Sequence, residues 1–150
     1  MTKHYNSGVP LSDKILKGAN TLADNVASTL GPRGRNVILQ ESGKAPIITK
    51  DGVTVAKFVN LEDPFENAAA EVIKQAAAQT NSMAGDGTTT ATVLAREILN
   101  ESQRYITAGV SPVELKRGMD VAVETIVASL KDMAVDVSSV EEIANIATIS

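Results

Sequence analysis

Apolar residues in this chain recur mostly at steps of three and four, and alternate only briefly. Leu11, Ile15, Ala19, Leu22, Val26 and Leu30 share one helical stripe. Ser12 is a candidate N-cap for that helix, and Gly31-Pro32 a stop signal. Residues 1–10, ending at Pro10, read as a tail. Arg35 to Leu39 is a short β-type run, Ser42-Gly43-Lys44 a turn, and Pro46 to Thr49 an antiparallel partner. Asp51-Gly52 reads as a sharp turn, and Val53 to Ala56 fits either a helix or a strand.

A second long helix is expected from Asp63-Pro64, a cap followed by a first-turn proline, to Gly85. Phe65, Ala69, Val72, Ala76 and Met83 would form its inner face. A third begins after Asp86-Gly87 and carries Leu94, Ile98 and Ile106 towards Gly109. The fourth opens with Ser111-Pro112, and Ser111 with Glu114 has the spacing of a capping box. Its stripe is Leu115, Met119, Ala122, Ile126, Leu130 and Met133, with Val121, Val123 and Val127 outside it. Ser138 with Glu141 marks a fifth helix. The fold class expected is mainly α with one small β-hairpin.

Composition narrows the function classes. Of 150 residues, 43% are hydrophobic but only 3% aromatic, so a core must be built from Ala, Val, Ile and Leu. A net charge of −4 argues against a general nucleic-acid binder. Without cysteine, thiolate metal sites and disulfides are excluded, and one histidine, His4, cannot supply a zinc site. No run reaches the roughly 18 apolar residues of a membrane span, and the start has no apolar signal core. The expected location is cytoplasmic, or an organelle matrix if a transit peptide was removed. Ile143, Ile146, Ala147 and Ile149 form an apolar group at the end, which suggests a truncated polypeptide.

The chemistry concentrates in Ala84-Gly85-Asp86-Gly87-Thr88-Thr89-Thr90. Glycines leave backbone N–H groups open, and a helix start adds unpaired donors and partial positive charge. A carboxylate there is suited to magnesium. No Gly-Lys-Ser/Thr closes the run, so it is not a P-loop. Asp86 also suits a plain helix cap, but three β-branched hydroxyl residues are poor first-turn material and better explained as phosphate donors. Thr29-Leu30-Gly31-Pro32-Arg33-Gly34 reads as a structural turn or a loop lying against a nucleotide, with Arg33 and Arg35 on a solvated edge. Lys50-Asp51-Gly52 reads as a turn, or as a site where Asp51 orients a water towards a γ-phosphate, a reaction that needs mainly positioning and charge neutralisation.

Taken together, the runs Thr29-Leu-Gly-Pro-Arg-Gly-Arg-Asn, Thr49-Lys-Asp-Gly-Val-Thr-Val-Ala, Leu61-Glu-Asp-Pro-Phe-Glu-Asn and Ala84-Gly-Asp-Gly-Thr-Thr-Thr-Ala-Thr-Val-Leu-Ala closely resemble the N-terminal part of group I chaperonins, the GroEL family. Gly109-Val-Ser-Pro-Val-Glu-Leu-Lys-Arg-Gly and a closing Ala147-Thr-Ile-Ser continue the likeness in the same order. The resemblance implies an N-terminal tail over 1–11, part of an ATP-binding equatorial domain over 12–135, and the start of an intermediate domain over 136–150. It implies an ATPase that assists protein folding as part of a complete subunit, with ATP/ADP, Mg2+ and K+ as cofactors. Asp86 would bind magnesium; Gly87, Thr88, Thr89 and Thr90 would line the phosphates; Thr29, Leu30, Gly31 and Pro32 would pass along the nucleotide. The carbonyls of Thr29 and Lys50 would meet potassium, Asp51 would position the attacking water with Gly52 beside it, and Ile149 and Ser150 would approach the nucleotide.

The implied partners are identical subunits in a ring, with the hairpin around Ser42-Gly43 pairing to a neighbour. Unfolded proteins and a co-chaperonin would bind through regions absent here. Neither nucleic acid nor membrane is implied. Two departures stand out. Gly43-Lys44 replaces the family's aromatic-glycine pair, and a second catalytic aspartate lies beyond this sequence. A catalytically inactive, naturally truncated relative that binds chaperonin subunits or nucleotide is the alternative reading.

Overall fold

A computed structural model describes residues 4–149. Their order is α1 (Val9–Ala27), a 3-10 turn (Gly31–Arg33), β1 (Val37–Leu39), β2 (Ile47–Thr49), α2 (Gly52–Phe58), α3 (Pro64–Ala84), α4 (Thr88–Thr107), α5 (Pro112–Met133) and α6 (Val140–Ile149). The fold is mainly helical with one antiparallel hairpin, as the sequence pattern predicts. The chain forms two compact units, divided between Glu101 and Ser102.

In the first unit, α1 begins at Val9, not after Ser12. Gly8 takes the cap position at φ 69° and its carbonyl accepts from Leu11 N and Ser12 N, both at 3.1 Å. Pro10 is therefore a first-turn residue rather than the end of a tail, which its fixed φ and missing N–H suit. The helix also closes early, at Ala27, because Thr29 N and Leu30 N turn back to the carbonyls of Val26 and Ala27. Leu30 thus leaves the stripe and is exposed.

The α1 stripe otherwise holds. Ala19, Leu22 and Val26 are fully buried and join Val55, Ala56, Ala70 and Ile73 in the core. α1 packs chiefly on α3. Their axes come close because Gly18 lies on the backbone of Glu66, nearer than any side-chain carbon sits. Lys17 pairs with Glu66 at 2.7 Å and Lys14 with Asp63 across the same seam. Asp63 caps α3, accepting from Phe65 N at 2.9 Å and Glu66 N at 3.2 Å.

The inner face of α3 differs from the expected one. Ala69, Ala70, Ile73 and Ala77 are buried, whereas Val72 and Met83 lie in solvent. α4 shows the same rotation: Thr88 and Thr92 are buried and Ala95 and Leu99 pack on the core, while Leu94 and Ile98 are exposed. Thr92 meets its polar requirement inside the helix, donating to the carbonyl of Thr88 at 2.8 Å. Arg96 to Asp24 (2.5 Å) and Asn100 to Asn20 (3.0 Å) tie α4 to α1. The hairpin pairs Val37 with Thr49, Ile38 with Ile48 and Leu39 with Ile47. Leu39 points inward, while Ile38 and Ile48 face solvent.

The second unit holds α5 and α6. Ser111 takes the cap position of α5 but forms no side-chain cap bond, so the expected Ser111–Glu114 box is not made. No residue of α5 is buried. The box before α6 forms one residue later than expected. Ser139 Oγ accepts from Glu142 N at 3.2 Å, and Glu142 Oε2 accepts from Ser139 N at 3.0 Å and Ser138 N at 2.8 Å.

Candidate functional site

Three separate sequence motifs meet at one point of the first unit. The segment Asp51-Gly52 is not a free turn but the start of α2. Asp51 is its N-cap: Oδ1 accepts from Val53 N at 3.1 Å, and Oδ2 from Thr54 N at 2.9 Å and from Thr54 Oγ1 at 2.6 Å. This resolves Val53 to Ala56 as helix. Gly52 is buried with its α-carbon against Thr89 and Thr29. A methyl group on it would overlap Thr89 Oγ1 and lie 3.4 Å from Thr29 Oγ1. The close approach therefore requires glycine.

Each neighbour is fixed from its own side. Thr29 donates to the carbonyl of Val26 at 2.7 Å, and its own carbonyl lies against the α-carbon of Gly34. Leu30, Gly31 and Pro32 continue as an exposed loop into the 3-10 turn. Lys50, Arg33 and Arg35 are exposed, the two arginines as expected. Gly85 closes α3 in the left-handed conformation (φ 75°), so the chain reverses into Asp86 and Gly87. Asp86 Oδ1 accepts from Gly87 N at 2.6 Å, and Asp86 stands two residues before the start of α4. Gly87, at φ 89°, packs its α-carbon towards Thr80.

The first turn of α4 presents Thr88, Thr89 and Thr90 in three different settings. Thr88 is buried and its hydroxyl has no hydrogen-bond partner in the protein. Thr89 is half-buried against Gly52, and Thr90 is exposed. A hydroxyl left without a partner in an interior is costly unless something outside the protein pairs with it. α4 is twenty residues long, so its start combines open N–H groups with partial positive charge, the conditions that favour a phosphate or other anion.

Burial opposes ionisation of Asp51, but the hydroxyl and N–H of Thr54, the N–H of Val53 and the charge of Lys57 together outweigh it. The carboxyl is held below its ordinary value of 3.8 and is ionised at neutral pH. Among the described residues, no group of three or more His, Asp or Glu side chains is placed to share a metal. Asp86 would hold a cation with at most one further carboxylate. That suits magnesium, which keeps several waters and takes one or two carboxylates plus substrate phosphates.

A cavity lies beside this cluster, not at it. It measures about 320 Å3 and is lined by Val53, Ala56, Lys57, Lys74, Ala77 and Thr88 among others. Thr88 is the point where cavity and cluster touch. Of the remaining expectations, Ser150 and the side chain of Ile149 fall outside the described residues. Sequence reading missed Thr54 and Thr80. The spacing Asp51-x-x-Thr54 is a capping signal and was open to view, but only once residues 53–56 are known to be helical.

In this mainly helical chain the glycine-containing segments at Thr29 and Gly52 meet the threonine-rich start of α4. Compared with known protein families, residues 22–150 match the TCP-1/cpn60 chaperonin family. The chain belongs to that family. Its members are ATPases that use ATP and magnesium and work as oligomeric rings. Among the described residues, no helix is long and apolar enough to cross a membrane.

Proposed function

We propose that this chain is the nucleotide-binding part of a group I chaperonin subunit, in which ATP hydrolysis drives protein folding in a ring of identical subunits. The observation that carries the reading is the packing of Gly52 against Thr89 and Thr29. It joins three motifs far apart in sequence into one wall beside the start of α4. The unpaired hydroxyl of Thr88 supports it, because a phosphate oxygen would satisfy that donor.

In this reading Gly87, Thr88, Thr89 and Thr90 hold the phosphates, and Asp86 holds Mg2+. Thr29, Leu30, Gly31, Pro32 and Gly52 line the nucleotide, and the carbonyls of Thr29 and Lys50 bind K+. Asp51, anionic and rigidly oriented, positions the attacking water. Bound magnesium nucleotide supplies the transferable phosphoryl group and neutralises its charge. The exposed pair Ile38 and Ile48 supports hairpin docking on a neighbouring subunit, because two unpaired edges and an apolar face are open there. Unfolded proteins and a co-chaperonin are partners of the complete subunit, which works in the cytoplasm or an organelle matrix.

The test is magnesium-ATP binding and turnover in the complete subunit. Asp86→Ala is expected to weaken magnesium-dependent binding at least about tenfold, the equivalent of 1.4 kcal/mol. Asp51→Ala is expected to bind nucleotide normally but lose turnover by about two to four orders of magnitude. Unchanged affinity in the first variant would remove the metal assignment, and normal turnover in the second would remove the role of Asp51.

A further inference from the structure

The Asp51 carboxylate is held by more than its helix requires. An N-cap needs only backbone donors, and Val53 N and Thr54 N supply them, one to each oxygen. The Thr54 hydroxyl adds a third bond to Oδ2 at 2.6 Å, within the range of strong bonds to ionised carboxylates. An ionised carboxylate offers about four acceptor positions. Oδ2 is saturated by its two donors. Oδ1 carries one donor and keeps a free lone pair.

We propose that Thr54 is a positioning residue for Asp51: its hydroxyl saturates Oδ2, so that Oδ1 alone is presented to the attacking water. The proposal rests on the ATPase reading of Asp51 given above. A water bridged to a freely rotating carboxylate samples two oxygens and several directions. Closing one oxygen and fixing the plane of the group leaves one direction, which is what in-line attack on a phosphoryl group needs. The hydroxyl has no other visible task. Thr54 is only half-buried, and threonine is no better a helix former than valine.

The experiment compares Thr54→Val, Thr54→Ser, Asp51→Ala and the double variant Asp51→Ala/Thr54→Val in the complete subunit. Steady-state kcat and KM for magnesium-ATP are read beside thermal midpoints, with Thr54→Ala replacing Thr54→Val if the latter does not assemble. Thr54→Val is expected to lower kcat about tenfold with KM within about twofold, and Thr54→Ser to rescue it. In the Asp51→Ala background, Thr54→Val should cost nothing further, because its partner is gone.

Normal kcat in Thr54→Val, with Asp51→Ala impaired, would overturn the role of Thr54 and leave that of Asp51 standing. Normal kcat in Asp51→Ala would overturn both. An additive loss in the double variant, or a loss in Thr54→Ser matched by a lower thermal midpoint, would reduce Thr54 to a helix-start residue and overturn the proposal.

Discussion

Gly52 admits no side chain, because the space a β-carbon needs is taken by the Thr89 hydroxyl. Gly52→Ala must push α2 and α4 apart or rotate Thr89 out of place. The expected stability loss is about 1–3 kcal/mol, the usual range for overpacking. Nucleotide affinity should fall with it, read by calorimetry on the folded fraction. Asp51 permits a sharper separation. Asparagine caps a helix as well as aspartate does, so Asp51→Asn should keep the thermal midpoint near neutral pH while losing the anion that positions water. Acid separates the two further. Because the folded carboxyl titrates below its unfolded value of 3.8, its stabilisation is complete above that pH and is lost as pH falls through the lower folded value. The native chain should therefore lose stability more steeply than Asp51→Asn in that window, as measured by denaturant midpoints at a series of acid pH values.

At the scale of elements, the seam between α1 and α3 depends on Gly18, whose α-carbon lies on the Glu66 backbone. A helix backbone cannot swing aside like a flexible side chain. Gly18→Ala is expected to cost about 1–3 kcal/mol or more through strain, despite alanine's better helix propensity, and a chemical denaturation midpoint would show it. One helix start was fully legible: Asp63-Pro64 caps α3 as its residue types dictate. Faces were less so. α3 repeats alanine at 68–70 and 76–78, so its apolar period hardly favours one direction, and the face came out rotated. α4 buries threonines, which a hydrophobic stripe does not count. Before α6, Ser138-x-x-Glu141 and Ser139-x-x-Glu142 both fit a capping box, and spacing alone cannot choose between them. Ser139→Ala should thus fray the first turn of α6, visible as faster amide exchange there. The site divides in the same way. Its motifs are local and readable, whereas their meeting at Gly52 depends on how α2 and α4 pack, and Thr54 gains meaning only from the helical start of α2.

For the molecule as a whole, the two units differ in what holds them. The first has an apolar centre of Ala19, Leu22, Val26, Val55, Ala70 and Ile73, closed by α1 and α3. In the second, α5 buries nothing, and Val121, Val123, Ile126, Leu130 and Met133 all face outward. Local opening costs least where apolar contacts are fewest, so amide exchange should be slowest in α1 and α3 and much faster in α5 and α6. The candidate site adds a directional test. All of its described residues from Thr29 to Thr90 belong to the first unit. A ligand that binds only the folded site stabilises by mass action, about 2.7 kcal/mol at a free concentration one hundred times its dissociation constant. Magnesium-ATP should then slow exchange in α1, α3 and the start of α4 by up to about a hundredfold, while leaving α5 unchanged. Protection spread evenly over both units would mean that the nucleotide acts on the whole chain, and the wall around Gly52 would lose its claim to be the site. Protection confined to the first unit and abolished by Asp86→Ala would tie the effect to the residues assembled there.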